Sequence, residues 1–171
     1  MMTGRTPLIL LLLGSAALLL GALGFQYIGG LTPCPMCHVQ RWPHIAAAVL
    51  ALLGLLVLYP RGAGGVLLLI AVALAITAGV GAYHAGVEYG LWAGPGTCSG
   101  DGSFDPTKMD PTKLKDMIGK APPARCDAIP WSLFGISMAG WNAIVSAAMA
   151  VFALLAARQA FRGRVFREGA R

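Results

Sequence analysis

Four long stretches of this chain carry no Asp, Glu, Lys or Arg: residues 8–28, 44–59, 62–87 and 133–157. Nothing constrains the fold more. A bilayer core of about 30 Å is crossed by roughly 20 consecutive apolar residues, with about 17 as the lower end. Three of the stretches meet this length, and the one bounded by Pro43 and Pro60 approaches it with no breaker inside. With 57% hydrophobic and 12% charged residues, the chain departs far from a soluble domain, which is about 25% charged. The expected fold class is an all-α membrane protein. It is a four-transmembrane-helix bundle in a single domain spanning 1–171, with helices at about 8–28, 43–59, 65–87 and 133–157.

Arg5 ahead of a Leu-rich run also suits a signal peptide, but the run exceeds the 7–15 residues of such a core, so a retained span is expected. Pro43 is expected in the first turn of the second helix, where a missing N–H costs nothing. Ala75, Gly79, Gly140 and Ala147 are expected where helices approach closely. Trp42, Trp92 and Trp131 are expected as interfacial anchors.

The net charge of +6 suggests nucleic acid until it is located. Arg158, Arg162, Arg164, Arg167 and Arg171 follow the last apolar stretch, Arg5 precedes the first, and Arg61 lies in the short link between the second and third. With four spans, these positions share one side of the membrane, which the positive-inside rule makes cytoplasmic. The excess is thus a topology signal beside anionic lipid, and no nucleic-acid partner is expected. Both termini are expected to be cytoplasmic. Two connections, at about 29–42 and 88–132, fall on the outer face.

All the cysteines lie in those outer connections: Cys34 and Cys37 in the first, Cys98 and Cys126 in the second. That face is where disulfides persist, and an even count agrees with two pairs. Within the second connection, Leu114, Met117 and Ile118 stand at helical spacing, so a short interfacial helix near 111–120 is one expectation and an irregular loop the other.

Cys34-Pro35-Met36-Cys37 has the spacing of a redox dithiol, in which one thiolate is stabilised by its neighbour. Arg41 adds positive charge near the start of the second helix. Cys34-Pro35-Met36-Cys37-His38 also matches the c-type haem attachment pattern, so a membrane-anchored cytochrome is the alternative, although haem leaves Cys98 and Cys126 without a task. Zinc fits poorly, because the other two cysteines are far apart in sequence, and no metal is expected. A purely structural staple suits Cys98 and Cys126 better than the short Cys34–Cys37 ring.

Cys34-Pro35-Met36-Cys37-His38-Val39-Gln40-Arg41 resembles the Cys-Pro-x-Cys-x-x-Gln-Arg signature of the DsbB family. The resemblance extends through Tyr83-His84-Ala85-Gly86-Val87-Glu88, Gly94-Pro95 before Cys98, and 131–140, and so covers nearly the whole chain. His38 departs from the aliphatic residue usual there. The resemblance implies a protein of the bacterial inner membrane that reoxidises a periplasmic DsbA-like thiol oxidase and passes the electrons to a quinone. A ubiquinone-type ring is the default and menaquinone the other choice.

It also implies roles for particular residues. Cys98 takes the mixed disulfide with the partner, and Cys126 then attacks the Cys34–Cys37 disulfide at Cys34. Cys37 is left as a thiolate facing the quinone, with Arg41 beside it. His84 and Glu88, at i and i+4, are expected either to serve the quinone or to satisfy each other at the water interface. Trp131 is expected to border the quinone.

Overall fold

A computed structural model of the chain describes residues 5–59, 62–95 and 125–168, with side chains described as far as 163. Four helices are long and apolar enough to cross a membrane. They are α1 (Thr6–Tyr27), α2 (Pro35–Leu53, continued by a π-helical turn over Gly54–Leu58), α3 (Ala63–Glu88) and α4 (Met138–Glu168). Two short strands, β1 (Ser132–Leu133) and β2 (Ile136–Ser137), precede α4. The all-α, four-helix membrane bundle is therefore the observed architecture. Cys98, Arg61 and the expected 111–120 helix lie outside the described residues.

The boundaries differ from the sequence reading at two places, each with a local cause. The second helix begins at Pro35, not Pro43. Pro35 occupies the first turn, where its missing N–H is harmless, and Cys34 caps the helix by accepting from the Cys37 backbone N–H at 3.2 Å. Pro43 sits inside the helix. The cysteine motif therefore belongs to a helix N-terminus rather than to a loop.

The fourth helix begins at Met138, not 133, and runs past 157. Phe134 and Gly135 both adopt positive φ, 53° and 76°, so the chain makes a two-residue hairpin turn before the helix. Its register is Ser132 with Ser137 and Leu133 with Ile136. The Ser137 hydroxyl accepts from the Gly140 N–H at 3.1 Å and so caps α4. Tyr89, just beyond α3, ties the hairpin down: its hydroxyl donates to the Gly135 carbonyl and accepts from the Ser137 N–H, both at 2.8 Å.

Helix α3 is the most enclosed span, with half of its most apolar window buried, and it packs most extensively against α4 and then α2. Helices α1 and α4 touch far less. Of the small residues expected at helix contacts, Gly140 is buried, with Ile136 2.8 Å from where a Cβ would stand. Ala75, Gly79 and Ala147 instead face outward. The close approach of α3 to α4 falls at Gly81, whose Cβ position lies 3.1 Å from the Ala139 carbonyl oxygen and from the Ala143 nitrogen. Away from the cysteines lies an apolar cluster containing Leu8, Leu11, Ala47, Ala51, Ile70, Leu74 and Ala153.

Candidate redox site and its cavity

Cys34 is buried (3% exposed) in a small cluster with Met36, Val87 and Cys126. Its Sγ lies 2.8 Å from Cys37 Sγ, and both cysteines of the pair are free. Because Cys34 Sγ already accepts the Cys37 backbone N–H, the Cys37 thiol is the natural donor and Cys34 the acceptor. The pKa of Cys34 falls from 9.0 to about 4. The Cys37 hydrogen bond contributes most; burial opposes the shift, and His84 and the helix N-terminus add to it. In this reduced arrangement Cys34 is the anionic sulfur, while Cys37 lines the cavity described below.

His84, from the last turns of α3, puts Nε2 3.5 Å from Cys34 Sγ and 3.9 Å from Glu88 Oε1. The side chains of His84 and Glu88 are each only 2% exposed, so the pair is not a solvated one at the water interface.

Cys126 is fully buried and held in a disulfide. Its Sγ, Cys34 Sγ and a His84 ring nitrogen all lie within 4.8 Å of one another. A disulfide sulfur is not a thiolate ligand, so the trio offers too few donors for the four-coordinate zinc site. Nor does the burial of Cys34 leave an open face for a haem thioether, which argues against the cytochrome reading.

Behind the cysteines a chain of amides runs into the bundle. Gln40 Nε2 lies 3.3 Å from the Met36 carbonyl and 2.8 Å from His84 Nδ1. Asn142 Nδ2 lies 2.7 Å from Gln40 Oε1 and 3.3 Å from Thr77 Oγ1, and the Thr77 hydroxyl donates to the Gln40 carbonyl at 3.1 Å. Asn142 Oδ1 faces His44 Nε2 at 3.0 Å and the Ser146 hydroxyl at 3.3 Å. Backbone carbonyls only accept, which orients both amides. Gln40 therefore donates to His84 Nδ1, and the neutral His84 ring carries its proton on Nε2, pointing at Cys34.

Beside this network lies a cavity of about 280 Å³, lined by Ala17, Leu18 and Ala22 of α1, by Cys37, Arg41 and His44 of α2, and by Trp131 and Val145, among others. It opens between α1 and α4, which make few contacts with each other. Further from the cysteines the gap is filled: a Cβ on Gly14 would stand 2.7 Å from the Met149 methyl. Arg41 lies in the second turn of α2, donating one N–H to Gln26 of α1 at 2.8 Å. Trp131 packs on Phe25 with ring centroids 5.0 Å apart. All of the expected site residues except Cys98, which is not described, gather at this end of the bundle. Gln40, present in the sequence only as the glutamine of the signature, joins them, and so do His44, Thr77, Asn142 and Ser146, which were unanticipated. The one sequence signal of these four was polarity inside charge-free spans, where hydrogen-bonding side chains are costly without a partner.

Comparison with known proteins gives the family. The family described as disulfide bond formation protein DsbB matches residues 4–156. A disulfide bond formation protein B of Verminephrobacter eiseniae is 34% identical over 94% of this chain and 90% of its own length. One from Burkholderia thailandensis is 31% identical over 94% and 93%, and one from Polaromonas naphthalenivorans 34% identical over 88% and 89%. No solved structure matches significantly. A cysteine pair at a helix N-terminus, with Cys34 buried against the sulfur of a cysteine in a disulfide, is thus found in a chain that belongs to the DsbB family: a multi-pass membrane oxidoreductase of disulfide bond formation.

Proposed function

We propose that the protein oxidises a DsbA-like dithiol partner on the outer face of the bacterial inner membrane and delivers the two electrons to a quinone. The observation that carries this reading is the approach of the Cys126, Cys34 and His84 side chains to within 4.8 Å, next to an apolar cavity lined by Cys37. The arginine excess at the opposite end supports cytoplasmic termini and outward cysteines.

The exchange runs as successive thiolate attacks on disulfides. The partner's thiolate opens the Cys98–Cys126 disulfide at Cys98, releasing Cys126 as a thiolate. Cys126, already packed against Cys34, attacks the Cys34–Cys37 disulfide there and expels Cys37 as a thiolate into the cavity. The second partner thiol then resolves the mixed disulfide at Cys98, and Cys98 reclaims Cys126. That releases Cys34 to the helix N-terminus, the Cys37 thiol and His84, which hold it as a thiolate. Per turnover, two partner thiols become a disulfide.

The cavity's residues fit a quinone ring. Its walls are largely apolar, Arg41 retains N–H donors beyond the one given to Gln26, and the buried Glu88 Oε2 has no partner among the described residues. A quinone, when bound, supplies a two-electron, two-proton acceptor. Arg41 orients the ring oxygen and balances the charge on Cys37, Trp131 and Phe25 close the outer wall, and His84 holds a proton beside the sulfurs. A ubiquinone-type ring suits the volume.

Cys37→Ser tests the path. Quinone-dependent oxidation of a reduced dithiol partner should drop to the uncatalysed rate, while the partner still forms a trapped mixed disulfide at Cys98. Full turnover by this variant would disprove the route.

A further inference from the structure

His44 is a buried, cavity-lining polar group that this mechanism leaves unused. It is 3% exposed, its ring lines the cavity, and Nδ1 has no hydrogen-bond partner among the described residues. It stands seven residues beyond Cys37 on the same helix, about 10 Å deeper along the axis.

The proton on this ring is placed by the amides. Met36 and Gln40 contribute backbone carbonyls that can only accept, so Gln40 Nε2 donates to the first and the Thr77 hydroxyl to the second. Asn142 Nδ2 must then serve Gln40 Oε1 and Thr77 Oγ1, which turns Asn142 Oδ1 toward His44 Nε2. Two acceptors 3.0 Å apart would repel, so Nε2 carries the hydrogen. In the neutral ring Nδ1 is then a lone pair with no donor among the described residues.

We propose that His44 Nδ1 accepts a hydrogen bond from a hydroxyl of the cavity's ligand, so that the cavity favours the dihydroxy form of a quinone-type ring over the dicarbonyl form. The inference rests on the quinone reading and deepens it. A dicarbonyl ring offers only acceptors, and its oxygen against Nδ1 leaves two buried lone pairs face to face. When the Cys34 thiolate and the Cys37 thiol give up two electrons to become a disulfide, the Cys37 proton and one of the two protons released by the partner's thiols, carried by His84, would turn the two ring oxygens into hydroxyls. One of these satisfies Nδ1. Burying an acceptor without a partner is costly enough to make the preference about tenfold. That ratio equals about 30 mV in a two-electron couple, in the direction that draws electrons from the cysteines. Asn142, which touches no ligand in this scheme, is a positioning residue that holds the ring's tautomer.

The test is binding, not turnover. A short-chain ubiquinone-type ring and its dihydroxy form are titrated separately and without oxygen against the full-length protein carrying Cys37→Ser, which blocks electron exchange. The dihydroxy form should bind about tenfold more tightly. His44→Leu should bring the two affinities together, mainly by weakening the dihydroxy form. His44→Gln, whose amide can donate to Asn142 and still present an oxygen to the cavity, should restore the preference. Equal binding of both forms by the protein with His44 intact would overturn the inference, as would tighter dicarbonyl binding or an unchanged ratio in His44→Leu. If His44→Leu does not fold, the ratio with His44 intact decides. Failure of either form to bind at all would overturn the quinone reading instead.

Discussion

Helices α2, α3 and α4 each pass through two unlike environments. In the half away from the cysteines, the buried residues are apolar from Leu8 and Leu11 across Ile70 and Leu74 to Ala153 and Ala157, with Ser15 the buried polar exception at their edge among the described residues. In the cysteine half, the buried residues include Gln40, His44, Thr77, His84, Glu88, Ser137 and Ser146. Lipid tails are as apolar as leucine, so the first half is held by shape and van der Waals contact rather than by expulsion of water. The second is held by hydrogen bonds, which have direction. Packing tolerates small shifts at a graded cost; a chain of oriented donors and acceptors fixes where protons sit. The bundle therefore keeps its alignment in one half and its chemistry in the other.

The largest consequence is the acidity of Cys34. A thiol whose folded pKa drops from 9.0 to about 4 stabilises the folded, reduced protein. That contribution is complete above 9.0, shrinks as the pH falls between the two values, and is gone below about 4. In the reduced protein, the ultraviolet thiolate absorbance lost with Cys34→Ser should titrate near pH 4. A step at the pH of an ordinary thiol would break the contrast between the halves at its strongest point. Leu74→Ala, in the apolar half, should leave that step where it is.

Next in size is Gly81→Leu. A side chain there meets backbone of α4 on two sides and must push the helices apart beside Asn142 and His84. A displacement of about 1 Å in reacting groups is enough to lower turnover by on the order of 10²-fold. Gly79→Leu, two residues earlier with nothing within 4 Å of its Cβ, should be silent in the same assay. Equal losses from both would mean that α3 and α4 are not aligned by their close approach at Gly81.

Leu74→Ala sharpens the comparison from the other side. Leu74 is fully buried, yet its side chain would sit in lipid even if the helices separated. Only the cavity term should count, so the loss of stability in a denaturant titration should be about 1–2 kcal/mol, below the range for soluble cores. A loss near 4 kcal/mol would imply water in the reference state of the bundle.

How much of this was legible in the sequence follows the same division. Charge-free blocks are long-range signals, and they placed α1 and α3 to within about two residues. The N-terminus of α2 was not legible because both Pro35 and Pro43 are compatible with a first turn, and only the capping of Cys37 by Cys34 decides between them. The start of α4 was hidden by an apolar run, 133–136, that reads as helix until the positive φ values at Phe134 and Gly135 are known. Cys34, Cys37 and Arg41 stood out by motif. The amide chain through Gln40 and Asn142 joins residues about a hundred positions apart, and no local spacing announces such a contact. Ala75 and Gly79 failed as contact residues because smallness alone does not say which face of a helix meets its neighbour.

The smallest expected effect lies in the hairpin that leads into α4, where geometry rather than packing sets the position of the site. Phe134 holds φ at 53° while 87% exposed, so its ring gains nothing from the protein to offset a left-handed backbone. Asn tolerates that conformation and precedes Gly in the favoured two-residue turn. In detergent, Phe134→Asn should therefore raise stability by about 0.5–1 kcal/mol and leave Tyr89 bonded to Gly135 and Ser137. Repeating the measurement in a bilayer separates two sources of the residue's value. A gain in both settings means that the turn alone orients Ser137 and the head of α4. A gain in detergent that reverses in the bilayer means that the Phe134 ring is anchored in the membrane interface, and the cysteine half is then held by lipid as well as by its hydrogen bonds.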